Sequence, residues 1–151
     1  MGKADVIDLN LSDIRKKRIR INEDDDKVLE LNTSDMNIIV RLKEALPKLR
    51  ELAVNAANFS DTDTETEEGL ETLAKELKET DDKMRELVDY IFDSNVSEMC
   101  AGNGSMYDPF NGKFRFEYIL EALTSLYESN ISGEYSKMSA RLATHTAKYT
   151  N

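Results

Sequence analysis

The chain has 151 residues, a length suited to one domain with one modest core; 33% of the residues are charged, 40% are hydrophobic, and the formal net charge is −10. That charge opposes general binding to DNA, RNA or anionic lipid, all of which repel it at long range. One cysteine, Cys100, excludes an internal disulfide framework and fits a reducing cytoplasm.

The N-terminal stretch MGKADVIDLNLSDIRKK lacks the continuous apolar core of a secretion signal. Val6 stands where a myristoylation signal wants Ser or Thr. Residues 1–14 show no sustained period and are expected to form a flexible arm ahead of a single α+β domain over 15–151. No apolar run approaches the roughly 20 residues of a membrane span.

Next comes RKKRIRINEDDDKVLELN. Ile19 and Ile21 alternate with Arg18, Arg20 and Asn22; beyond the acidic turn, Leu29 and Leu31 alternate with Glu30. Period-2 alternation on both sides of a polar turn predicts a β-hairpin with one apolar face and cross-strand charge pairs on the other. Thr33, Ser34 and Asp35 then offer helix caps. Met36, Ile39, Val40, Leu46, Leu49, Leu52 and Ala56 form a stripe at steps of mostly three or four, with a kink or break expected at Ala45–Leu46 because of Pro47.

Residues 60–69 read as an acidic linker with nothing large to bury. Leu70, Leu73, Leu77, Thr80, Met84, Leu87 and Ile91 follow at alternating steps of three and four, a heptad-like seam on a helix over about 67–94. Such a helix would be on the order of 40 Å long, so its first half is expected to project or to pair with another chain.

The stretch GSMYDPFNGKFRFEY, Gly104 to Tyr118, carries two turn signals, Asp108-Pro109 and Asn111-Gly112. Its Met106, Tyr107, Phe110, Phe114 and Phe116 are too apolar for a solvated loop and should pack or meet a partner. Helical steps return at Phe116, Ile119, Leu120, Leu123, Leu126 and Tyr127, break at residues 130–133, and resume through Tyr135, Met138, Leu142, His145 and Tyr149. The expected fold is mostly α: an N-terminal β-hairpin followed by about four helices, one long.

No reaction assembles from these residues. Neither acidic run has the glycine at position six and the Glu at position twelve that a calcium loop needs, and one Cys with one His cannot make a zinc site. Cys100 follows Met99 at the end of a helix, whereas a helix N-terminus is what lowers a thiol pKa, so a Cys100–His145 dyad is not expected. AGNG matches neither phosphate-loop pattern. RKKRIR is expected to pair with Glu23 to Asp26 and not with nucleic acid. The heptad-like seam is the remaining signal, with two readings: an intradomain stripe, or a surface for a partner or a second copy.

Two strings, Arg20–Leu49 (RINEDDDKVLELNTSDMNIIVRLKEALPKL) and Tyr90–Asn130 (YIFDSNVSEMCAGNGSMYDPFNGKFRFEYILEALTSLYESN), resemble a family of small proteins encoded by prophages and tailed phages of Firmicutes, the tail assembly chaperones. Residues 1–14 and the acidic linker match least. The resemblance implies a non-enzymatic protein of the bacterial cytoplasm, without cofactor, metal, nucleic acid or membrane. It would bind the tape measure protein, keep it soluble, and assist tail tube protein subunits to assemble around it; in several phage groups a frameshifted longer form exists. The partner-binding residues expected are Leu70, Leu73, Leu77, Met84, Leu87, Ile91, Tyr107 and Phe110, with homo-oligomers open. The rival expectation is an acidic phage-encoded inhibitor of a host or defence protein, motivated by the carboxylate count.

Overall fold

A computed structural model describes residues 5–11, 16–58 and 64–150, with side chains to residue 143. The protein is mostly α with a small β part: an antiparallel N-terminal hairpin followed by four helices. Strands β1 (Lys17–Arg20) and β2 (Val28–Leu31) pair in the register Lys17↔Leu31, Arg18↔Glu30, Ile19↔Leu29 and Arg20↔Val28. The turn needs left-handed backbone at Asn22 and Glu23 (φ 53° and 61°), and Asp24 braces it by accepting from the Asp26 N–H at 3.0 Å. Arg20 pairs with Asp25 at 2.7 Å, the local pairing of basic strand and acidic turn that the sequence suggests.

Helix α1 (Ile38–Ala57) runs through Pro47 without a break. Its start is held by Asp35, whose Oδ1 accepts from the Asn37 N–H, and by Arg41, which donates to Asp35 at 2.7 Å and to the Ile91 carbonyl at 2.7 Å. The buried face also differs from the expected stripe. Ile38, Ala45 and Leu49 are buried and Leu42, Leu46 and Leu52 lie against them, while Met36, Ile39 and Val40 stay exposed. Steps of four and three counted from Ile38, the first helical residue, give that face; counting from Met36, which precedes the helix, rotates it.

Helix α2 (Glu67–Phe92) begins inside the expected linker. Thr66 is its N-cap, accepting from the Gly69 N–H at 3.0 Å, and Glu67 and Glu68 favour the first turn electrostatically. Asp93 ends it in left-handed backbone. The short α3 (Val96–Ala101) is pinned at once to α2 by Asp89, which accepts from the Ser97 N–H at 2.7 Å and the Ser97 hydroxyl at 2.8 Å. A second, very short hairpin joins β3 (Pro109–Phe110) to β4 (Lys113–Phe114). Asn111 and Gly112 supply the two consecutive positive φ angles, 50° and 81°, that a tight hairpin turn demands.

Helix α4 (Arg115–Thr150) corrects the expected break at 130–133: it is one helix of 36 residues. One glycine in a helix interior costs only about 1 kcal/mol, and Gly133 has no close neighbour and no positive φ. Four helices result, yet α3 takes the place of one expected helix and α4 fuses two others.

The core lies where β2, α1, α2, α3 and the first half of α4 meet. Leu29, Leu49, Met84, Val88, Ile91, Val96 and Met106 are fully buried. Each such side chain contributes about 1.5–3 kcal/mol over its exposed state. Phe92 and Tyr127 stack at a tilt with ring centroids 5.8 Å apart. Among the described residues no buried side-chain polar atom lacks a partner.

Candidate partner-binding surface

The expected seam on α2 divides along its length. Met84 and Ile91 are fully buried, so in this fold they serve the core and no partner reaches them. Leu73, Leu77 and Leu87 are partly buried. Leu70 is 55% exposed, and Val54 near the end of α1 is 62% exposed. The accessible part of the seam is therefore its N-terminal half together with Leu87.

Leu87 lies in a groove of about 670 Å³ between α1 and α2. Ala45, Leu52 and Leu87 give it an apolar floor, and Glu44, Lys48 and Glu86 stand among its charged walls. At one end Tyr90 donates its hydroxyl proton to the Glu44 carboxylate. That bond and the carboxylate's negative charge raise the tyrosine pKa from its ordinary value, since both favour the neutral phenol.

The segment from Gly102 to Tyr118 is fastened and not a loose loop. Asp81 accepts from the Met106 N–H at 2.7 Å and from Arg85 at 2.8 Å, and Arg85 also donates to the carbonyls of Gly102 and Gly104. Tyr107 donates to the Leu77 carbonyl at 2.9 Å, which ties it to α2 and leaves it half-buried. On the other flank Asp108 accepts from the Ser105 N–H and from Arg115, each at 3.0 Å, and from the Ser105 hydroxyl. Burial works against the charged Asp108, but these donors and the Arg115 cation outweigh it and hold its pKa below the ordinary carboxylate value.

Phe110 sits at the tip of the β3–β4 hairpin, 47% exposed, with the Arg115 guanidinium 5.0 Å from its ring centre. It borders a second groove of about 480 Å³ with Ile21, Tyr118, Ile119 and Leu123. The structure thus separates the expected residues into three sets: core (Met84, Ile91), α2 surface (Leu70, Leu73, Leu77, Leu87, with Tyr107 tied against it), and hairpin tip (Phe110). The Asp81–Arg85 anchor was not singled out from the sequence, although acid and base four apart on a helix are a visible signal.

Cys100 is half-buried, and desolvation, reinforced by the Asp89 carboxylate, pushes its thiol up to about 11. At neutral pH it is a thiol and not a thiolate nucleophile. The His145 side chain lies outside the described residues. Among the described residues no group of three or more His, Cys, Asp or Glu is placed to hold a metal ion, and no helix is long and apolar enough to cross a membrane.

Comparison of the chain with protein-family models, with curated proteins and with solved structures gives no match.

Proposed function

We propose that the chain is a phage tail assembly chaperone: a non-enzymatic protein of the infected or lysogenic bacterial cytoplasm that binds the tape measure protein and assists assembly of the tail tube. The reading rests on the resemblance of the two strings, Arg20–Leu49 and Tyr90–Asn130. The observation that supports it best is the α1–α2 groove. Its apolar floor and charged walls suit an amphipathic helix laid along it, and a tape measure protein is a long, apolar helical substrate. The net charge of −10 would keep such a complex in solution.

The test is co-expression of the chain with the tape measure protein encoded beside it. Soluble tape measure protein that elutes with the chain is the expected result. Leu87→Asp and Leu70→Asp should each return the tape measure protein to the insoluble fraction while the chaperone keeps its helical circular dichroism. An unchanged tape measure protein with no complex would sink the proposal, and loss of helicity in Leu87→Asp would mark that residue as core. Capture of a host or defence protein in place of the tape measure protein would favour the inhibitor reading instead.

A further inference from the structure

One edge of the first hairpin is open. Among the described residues β1 pairs with β2 and with no other strand, so its second edge can accept a further strand. Ile19 and Ile21 lie against the core, while Arg18 and Arg20 are exposed on the other face. Arg20 holds Asp25, but Lys16 and Arg18 make no ion pair among the described residues. Beside this edge opens the groove of about 480 Å³, lined by Arg20, Ile21, Ile119 and Leu123 among others and by no residue of β2.

The N-terminal arm carries a segment that matches. In Ile7-Asp8-Leu9-Asn10-Leu11 apolar and polar residues alternate strictly, the period of a strand with one buried face. Within its own chain this segment leaves its apolar side chains in water. Residues 5–11 belong to no helix or strand, and Ile7, Leu9 and Leu11 are 89%, 80% and 56% exposed. Strand addition to an open sheet edge buries such a face and pairs its backbone.

Charge selects the arm as the occupant. A second copy of β1 on this edge would set Arg18 and Arg20 against their own kind, and like charges directly opposite are unfavourable. The arm carries Asp5 and Asp8 and no cation between residues 5 and 11. The open edge of β2 carries Glu30 and repels the same arm. With Leu9 opposite Ile19 in an antiparallel pair, Ile7 falls opposite Ile21 at the groove. Asp8 then stands opposite Arg20 and diagonal to Arg18, so both faces of the arm are matched in one register.

We propose that residues 6–11 of one copy add as a third strand to the β1 edge of a second copy, in a reciprocal two-fold exchange. This pairing does not rest on the tape measure reading, which uses the α1–α2 groove.

Sedimentation velocity of the full chain should show a dimer that dissociates on dilution. Leu9→Asp should give a monomer whose body keeps its thermal transition. Asp8→Lys should weaken the dimer several-fold, and Leu9→Ile should retain it. Register is read in a Cys100→Ser background carrying both Leu9→Cys and Ile19→Cys. Mild oxidation should give a covalent dimer on a non-reducing gel, with position 9 joined to position 19 by peptide mass mapping. A wild-type chain that is monomeric wherever it is soluble would overturn the proposal, as would a Leu9→Asp chain that stays dimeric. A disulfide closed within one chain would place the arm on its own β1, and linkage of like positions would mean a different pairing; either result overturns it equally.

Discussion

The two halves of α4 share a backbone conformation and little else. From Phe116 to Tyr127 the helix places Phe116, Ile119, Leu120, Leu123 and Tyr127 in the core at ordinary helical steps. From Ser132 to Ala143 every residue is exposed. The first half is held by burial and is indifferent to its own propensities. The second has the same periodicity on an exposed stretch of helix. Equal periodicity therefore accompanies burial in one half and exposure in the other, and does not by itself tell a core face from a surface face.

Three substitutions test the contrast between body and exposed helix. The largest effect belongs to the body. Met84→Ala should cost about 2–5 kcal/mol in urea denaturation, because a fully buried side chain is lost and the well-packed surroundings relax only partly. A loss below about 1 kcal/mol would show that the core around Met84 is loosely packed, and would weaken the contrast.

Gly104→Ala comes next. A Cβ there would stand 2.7 Å from Arg115 Nη2, 3.0 Å from Asp108 Oδ2 and 3.2 Å from the Ala101 carbonyl oxygen. The arginine end can yield, but the backbone oxygen cannot easily do so. A loss of about 1–3 kcal/mol is expected, read as a lower midpoint of the near-ultraviolet transition. No change would mean that the Asp81–Arg85 anchor and the Asp108–Arg115 brace adjust together.

The smallest change acts on the exposed half. Gly133→Ala meets no atom within 4 Å and requires no change of backbone, so it should stabilise the second half of α4 by up to about 1 kcal/mol. Far-ultraviolet circular dichroism should gain helicity while the near-ultraviolet midpoint of the body stays where it was. Movement of both together would show that the two halves melt as one unit.

Much of the fold is legible in the sequence for stated reasons. Alternation about the NEDDD turn gives the first hairpin, because one of its faces is buried and the other solvated. The spacing from Leu70 to Ile91 gives α2. Thr66 followed by Glu67 and Glu68 is the signature of its start, obscured by reading the whole acidic run as linker. The division of the seam into core and surface is not legible, since Leu70 and Met84 occupy equivalent steps and only the packing of α1, α3 and α4 distinguishes them. The fastening of residues 102–118 is equally hidden: it depends on Asp81 and Arg85, some 20 residues earlier in sequence. The single glycine in α4 misleads in the other direction, because a breaker in an exposed segment looks stronger than its modest cost.

One contact made by Asn130 bears on how the chain reaches this structure. Its side-chain oxygen accepts from Lys17 and its amide donates to Ser34 at 2.8 Å, spanning 113 and 96 residues of sequence. The two hairpins and the α1–α2 pair join neighbours in the chain and close quickly. The Asn130 bridge brings the N-terminal strand to the midpoint of the last helix, so its loop entropy must be met before it forms. A contact that forms late acts on the rate of unfolding, so Asn130→Ala is expected to speed unfolding with little change in the folding rate, as a stopped-flow chevron would show. Asn130 is in this sense a latch on escape from the native state, set after the body around it has already condensed.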